Sequence, residues 1–158
     1  MIDIDCIIGI DPGAAGGMVV WRPNEPIKAV KMPKDLNAIK DFVNYYKDVA
    51  KPLVFLEKLS IRPDDLADDG TGKNKGKIYR IQVMMQNFEQ LKAILTVSGI
   101  PYVLVHPMTW QSRLKVRMKG EEKPDRKRRF KDIAEKLYPI KQTLWSADAT
   151  LIMHFGRY

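Results

Sequence analysis

Three carboxylates stand where the surrounding sequence gives them little ordinary reason to be. Asp11 follows Ile-Ile-Gly-Ile, Glu57 follows Leu-Val-Phe-Leu, and Asp148 has alanine on both sides. Burying one such charge is costly without a partner. Three brought to one point repel one another unless a cation sits among them. Mg²⁺ prefers oxygen ligands of this kind and keeps waters or substrate phosphates in the rest of its shell. Two such ions roughly 4 Å apart can activate a water and stabilise the leaving oxygen of a phosphodiester. Taken singly, each acid has a plain structural reading. Asp11 in Gly-Ile-Asp-Pro-Gly fits a turn, Glu57 a strand-end charge, and Asp148 a carboxylate favoured by a helix dipole. Their combination is what points to metal-assisted hydrolysis.

Competing chemistries lack their residues. His106 precedes Pro107 at a strand end and reads as a capping or buried histidine. His154 lies six residues beyond Asp148, far around a helix from it. Two isolated histidines and the single Cys6 make no zinc constellation. No Gly-x-x-x-x-Gly-Lys-Ser/Thr loop cradles a phosphate, so no nucleotide cofactor is expected. No serine sits in a nucleophile elbow. Cys6, in an apolar run, reads as core packing.

Periodicity gives the elements that must position the acids. Ile2 to Asp11 reads as a buried strand with Cys6, Ile8 and Ile10 on one face and Ile7, Gly9 and Asp11 on the other. Pro12-Gly13 turns the chain, and Ala14 to Gly17 keep the turn small. Met18 to Trp21 and Ile27 to Met32 complete an antiparallel meander. Asp35 caps a helix reaching Val49, whose apolar face carries Leu36, Ile39, Phe42, Val43 and Tyr46. Leu53 to Glu57 is a fourth strand. Arg62 to Lys77 reads as a flexible loop. Ile78 to Val97 is the longest helix, with Ile78, Ile81, Met85, Phe88, Leu91 and Leu95 inward and Gly99 at its end. Tyr102 to Val105 is a fifth strand, and Pro107 opens a short helical turn. Asp125 caps a helix with Phe130, Ile133, Ala134 and Leu137 inward. Ser146 caps a last helix, with Asp148 in its first turn and Ala149, Ile152, Met153 and Phe155 along it. A meander followed by strand–helix alternation implies an α/β fold: a mixed five-stranded sheet with helices on both faces. The 158 residues fit a single domain.

The charge is uneven. The formal net charge is +8, yet ten basic and three acidic residues lie between Arg113 and Lys131, leaving 17 basic and 16 acidic elsewhere. So concentrated a segment suits a polyanionic partner, and nucleic acid leads because Lys and Arg neutralise its phosphates. Lys115, Arg117, Lys119, Lys123, Arg126, Lys127, Arg128 and Arg129 are the expected backbone-binding side chains. No apolar run approaches the ~20 residues that cross a bilayer. Asp3 and Asp5 stand where a secretory signal would be basic, so no membrane partner and a cytoplasmic setting are expected.

The motifs resemble a known family. Ile-Gly-Ile-Asp-Pro-Gly-Ala-Ala-Gly-Gly (Ile8 to Gly17), Val-Phe-Leu-Glu ending at Glu57, the Gly99-Ile100-Pro101 to His106-Pro107 passage with Trp110-Gln111, the basic Lys123 to Pro139 helix and Ser-Ala-Asp-Ala-Thr-Leu-Ile (Ser146 to Ile152) occur in the order found in RuvC-like Holliday junction resolvases, especially the small forms found in bacteriophages. The resemblance spans nearly the whole chain. It implies an RNase H-like fold, a homodimer, and Mg²⁺- or Mn²⁺-dependent endonucleolytic cutting of branched DNA such as a four-way junction. Asp11, Glu57 and Asp148 occupy the family's metal-binding, catalytic positions. Many members carry a further acid or histidine one helical turn before the last aspartate. Here Leu144-Trp145-Ser146 offers none, which leaves a second metal with a weaker shell or one completed by water and DNA. Trp145 reads as a packing residue.

Three other readings share parts of this pattern. An RNase H-type enzyme cutting RNA–DNA hybrids would use the same acids. A non-catalytic nucleic-acid-binding module has no use for all three. An actin-like nucleotide-binding fold shares the Gly-rich hairpin but needs two such domains.

Overall fold

The computed structural model describes residues 4–67, 70–72 and 75–158. Among these residues the sheet has five strands: β1 (Cys6–Asp11), β2 (Gly17–Trp21), β3 (Lys28–Lys31), β4 (Pro52–Glu57) and β5 (Tyr102–Val105). Their order is β3-β2-β1-β4-β5. The first three form the antiparallel meander, and β4 and β5 add in parallel to β1. Among the described residues six helices complete the fold: α1 (Leu36–Val49), α2 (Pro63–Leu66), α3 (Lys75–Val97), α4 (Pro107–Arg113), α5 (Lys123–Leu137) and α6 (Leu144–Gly156). None is long and apolar enough to cross a membrane.

The alternation read from β1 sets the two faces. Cys6, Ile8 and Ile10, with Val54 and Leu56 of β4, pack against Ile39, Val43 and Tyr46 of α1 and Phe88, Leu91 and Leu95 of α3. Ile7 and Val19 point the other way, onto Ala149 and Met153 of α6. Outside them Trp110, Phe130, Ala134, Leu151 and Ile152 join α4, α5 and α6. This is the expected mixed sheet with helices on both faces.

Several boundaries and faces differ from the sequence reading. β1 begins at Cys6, and the expected start at Ile2 and Asp3 lies outside the described residues. The expected loop from Arg62 to Lys77 holds α2 and the first residues of α3; positions 68, 69, 73 and 74 lie outside the described residues. Met85 was expected inward but is 43% exposed, and in the first half of α3 no described residue is fully buried. Length explains this. A helix of 23 residues spans about 35 Å, whereas a six-residue strand such as β4 spans about 20 Å, so half of α3 outruns the strands it packs on. Leu137, also expected inward, is 42% exposed in the last turn of α5.

Two caps shift as well. Helix α5 starts at Lys123 with Pro124 in its first turn, so Asp125 is a first-turn acid rather than the cap. Proline tolerates that position because its missing N–H has no intrahelical partner there. Helix α6 is capped by Thr143, whose hydroxyl accepts from Ser146 N while the Ser146 hydroxyl accepts from Thr143 N. Ser146 is thus the reciprocal member of a capping box. Asp148 consequently sits fifth in the helix rather than in its first turn.

Candidate active site

Parity and register bring two of the acids together. Asp11 and Glu57 end β1 and β4, which run parallel with Ile10 beside Leu56. Asp11 shares the face of Ile7 and Gly9, and Glu57 shares that of Leu53 and Phe55. Both therefore emerge on the α6 side, where Asp148 waits. Gly9 sets how near α6 can come. A Cβ there would lie 2.3 Å from the Ala149 carbonyl oxygen and 2.4 Å from Met153 N. Only glycine lets the helix backbone rest on the strand, and that contact flanks Asp148. Gly16 does the same in the following turn, where a Cβ would fall 2.2 Å from the Asp11 carbonyl oxygen and 2.9 Å from its carboxyl carbon.

The electrostatics show three acids in one field. Burial, then the charge of Asp148, pushes Asp11 up from 3.8 to about 6; Lys127, the Gly13 N–H and Lys123 pull the other way. Burial, then the charge of Asp11, pushes Glu57 up from 4.5 to about 8, partly offset by a hydrogen bond from Trp110. That bond runs from Trp110 Nε1 to Glu57 Oε2 at 2.6 Å. Trp110 is fully buried and rests against Phe130 with ring centroids 5.4 Å apart. Asp148 is only 9% exposed. Its Oδ2 accepts from the Lys127 ammonium, while its Oδ1 is buried with no hydrogen-bond partner among the described residues.

Among the described residues, no three acidic, histidine or cysteine side chains close around an ion as they stand. The donor set nevertheless fits one. Two carboxyls are pushed above their ordinary range by desolvation and by a neighbouring acid, Asp148 for Asp11 and Asp11 for Glu57, and the third keeps an orphaned oxygen. A hard cation with oxygen ligands relieves each of these costs.

The expected DNA-binding side chains separate into groups. Lys115, Arg117 and Lys119 are exposed and, with Ser112, line a concavity of about 490 Å³ beyond α4. Lys123 is exposed at the start of α5 and acts on Asp11 through space. Lys127 reaches the acid cluster itself. Arg128 points to solvent beside Asp125, and Arg126 is half-buried. Arg129 turns inward, gripping Glu121 with two hydrogen bonds of 2.6 Å and lying over the Phe130 ring.

His106 is the N-cap of α4, accepting from Met108 N, as the sequence suggested. His154 bonds the Tyr138 hydroxyl at 2.9 Å, and burial lowers its pKa. Trp145 does pack, its ring lying within 2.7 Å of where a Cβ on Gly17 would be. Sequence reasoning missed the roles of Trp110 and Lys127 toward the acids. It also missed Gln142, which is buried and accepts from Ser146 and Thr150 to hold the start of α6.

A mixed sheet of order 3-2-1-4-5, with acids ending its adjacent parallel strands β1 and β4 and a third on the helix across them, has the RNase H-like architecture. Within that class the fold is that of RuvC. RuvC of T. thermophilus in complex with a Holliday junction substrate superposes with a TM-score of 0.55, covering 96% of this chain and 91% of that one at 16% identity. A second T. thermophilus RuvC structure gives a TM-score of 0.52, covering 95% and 92% at 15% identity. No family model and no curated relative matches the sequence.

Proposed function

We propose that this chain is a divalent-metal-dependent endonuclease that cuts branched DNA, four-way junctions foremost, as a homodimer. The observation that carries the reading is the acid cluster: Asp11 and Glu57 on adjacent parallel strand ends, facing Asp148, with raised pKa values and an orphaned oxygen between them. A RuvC fold seen elsewhere on a Holliday junction substrate supports branched DNA as the substrate class. The basic segment supplies the phosphate contacts that position a duplex without reading its sequence.

Asp11, Glu57 and Asp148 would hold Mg²⁺, with Mn²⁺ able to substitute. When bound, the cation supplies Lewis acidity and an activated water for phosphodiester hydrolysis. Trp110 fixes one oxygen of Glu57, and the other would be left to ligate the cation. Glu57, protonated near neutrality, must release its proton before it can act as an anionic ligand. Lys127 neutralises Asp148, and with a cation held there its ammonium would be free to contact the phosphate being cut. Two-fold symmetry of a four-way junction suits a two-fold dimer with one such centre per protomer.

The test is a substrate panel in Mg²⁺: a four-way junction, a linear duplex of the same sequence and an RNA–DNA hybrid, with sedimentation of the protein alone and on the junction. Paired cuts in the junction by a dimer, with the linear duplex spared, are expected. Preferential cutting of the hybrid would replace this reading with an RNase H activity, and a monomer on the junction would remove the dimer.

A further inference from the structure

A ring of contacts around Glu57 closes at His106. Glu57 ends β4 beside Val105, and Lys58 N donates to the Val105 carbonyl at 2.8 Å. The residue after Val105 is His106, the N-cap of α4. Its Nδ1 accepts from Met108 N at 3.2 Å, and its carbonyl accepts from Thr109 N at 2.9 Å. Trp110 follows in the same turn, and its indole N–H holds Glu57 Oε2. On the other side, the chain leaving Glu57 brings Ser60 Oγ to 3.5 Å from His106 Nε2. A neutral imidazole that accepts at Nδ1 carries its proton on Nε2, so His106 donates to Ser60.

The first turn of α4 has little else to fix it. Met108 is 50% exposed and Thr109 is exposed, so neither anchors the turn by burial. A helix of seven residues is too short to stand on its own hydrogen bonds. Trp110 is buried against Phe130, which holds its ring in the core. The backbone from which that ring hangs begins at the cap, and the cap therefore sets where the indole N–H points. We infer that His106 is a positioning residue of the acid cluster: by capping α4 through Nδ1 it aims the Trp110 indole at Glu57, and Ser60 fixes the rotation of its ring. This rests on the reading of Glu57 as a metal ligand only for its effect on metal binding.

The test follows hydrogen exchange of the Trp110 indole N–H by NMR, in EDTA and without DNA. Its signal among the three tryptophans is the one that disappears in Trp110→Phe. Exchange is measured relative to the core amides of β1, which report global opening. Two variants separate the acceptor from the bulk of the ring. His106→Phe keeps a ring and has no acceptor, whereas His106→Asn is smaller and keeps a capping oxygen. Relative exchange should be about tenfold faster in His106→Phe and within about twofold of wild type in His106→Asn. Ser60→Ala should change it by about twofold, because its contact is long and exposed. Mg²⁺ affinity at pH 7, by calorimetry, should keep the same order and fall about threefold in His106→Phe, less than when the indole N–H is removed outright. Melting temperature reports the fold, and His106→Ala takes the place of His106→Phe if the larger ring does not fold. A purely space-filling histidine gives the opposite pattern, with His106→Phe near wild type and His106→Asn disturbed. That pattern would overturn the inference, as would wild-type exchange in both variants or equal acceleration in both. Faster indole exchange in His106→Phe of a protein that binds no Mg²⁺ would sink the metal reading and leave the positioning role. Mg²⁺ binding with an indole indifferent to His106 would do the reverse.

Discussion

The bond from Trp110 to Glu57 is a direct handle on the acid cluster. Changing Trp110→Phe keeps an aromatic ring against Phe130 and removes the one N–H that reaches Glu57 Oε2. The bond favours the ionised carboxylate, so its loss must raise a pKa already near 8. A hydrogen bond to a charged group contributes roughly 1.5–3 kcal/mol and one to a neutral acid about 1 kcal/mol. The difference is on the order of 1.4 kcal/mol, or about one pKa unit. Below that pKa a cation must displace the Glu57 proton, so affinity falls about tenfold for each pH unit. Trp110→Phe should therefore bind Mg²⁺ about tenfold more weakly than the wild type at pH 7, the two converging as pH approaches 9.5. Isothermal titration calorimetry across that range measures this, with thermal melting to confirm the fold. The smaller ring leaves a gap in a fully buried site, so some loss of Tm accompanies the change. A folded Trp110→Phe protein with wild-type Mg²⁺ affinity at pH 7 would refute the assignment of Trp110 as the group that sets Glu57.

Other outcomes follow from the same geometry. Glu57 and Asp11 both have folded-state pKa values above their unfolded ones, so between about 4.5 and 8 the folded protein binds more protons than the unfolded chain and stability falls as pH rises. Without metal, Glu57→Gln should therefore stabilise the protein at pH 8, by on the order of 2 kcal/mol, and change little at pH 4; melting curves in EDTA check the sign. Gly9→Ala should destabilise by about 1–3 kcal/mol or more, because its Cβ meets α6 backbone that cannot step aside, and urea titration measures the loss. Arg128→Gln, at an exposed position on α5, should flatten the salt dependence of junction binding by about one unit. Arg129→Gln should instead lower Tm with little change in that slope, since its guanidinium is occupied by Glu121.

What the sequence revealed follows from what is local. Strand β1 was readable from its alternation every two residues and β4 from its short apolar run, each ending in a carboxylate, whereas the parallel register that puts Asp11 and Glu57 on one face came from the structure. The closing helix was readable from its apolar run, although its true cap, Thr143, was hidden behind Ser146, an equally good capping residue. Contacts made across long stretches of chain were not readable. Trp110 lies 53 residues from Glu57 and Lys127 lies 21 from Asp148, and nothing near either marks it as a partner of an acid. Lys127 sat inside a basic run and so read as one more phosphate contact. Met85 and Leu137 had helical spacing, but spacing says which way a side chain points and not whether anything lies opposite it. Arg129 shows the same limit for charge: four consecutive basic residues point around a whole turn of α5, and Lys127, Arg128 and Arg129 each meet a different acid.

The central claim is that Asp11, Glu57 and Asp148 form a metal-dependent cutting centre. It is tested most directly by incubating an end-labelled synthetic four-way junction with the wild-type protein in EDTA, in Mg²⁺ and in Mn²⁺, beside Asp11→Asn in each. The account predicts cleavage only by the wild type and only with metal, while Asp11→Asn still binds the junction. Full cleavage in EDTA, or by a folded Asp11→Asn protein, would contradict it.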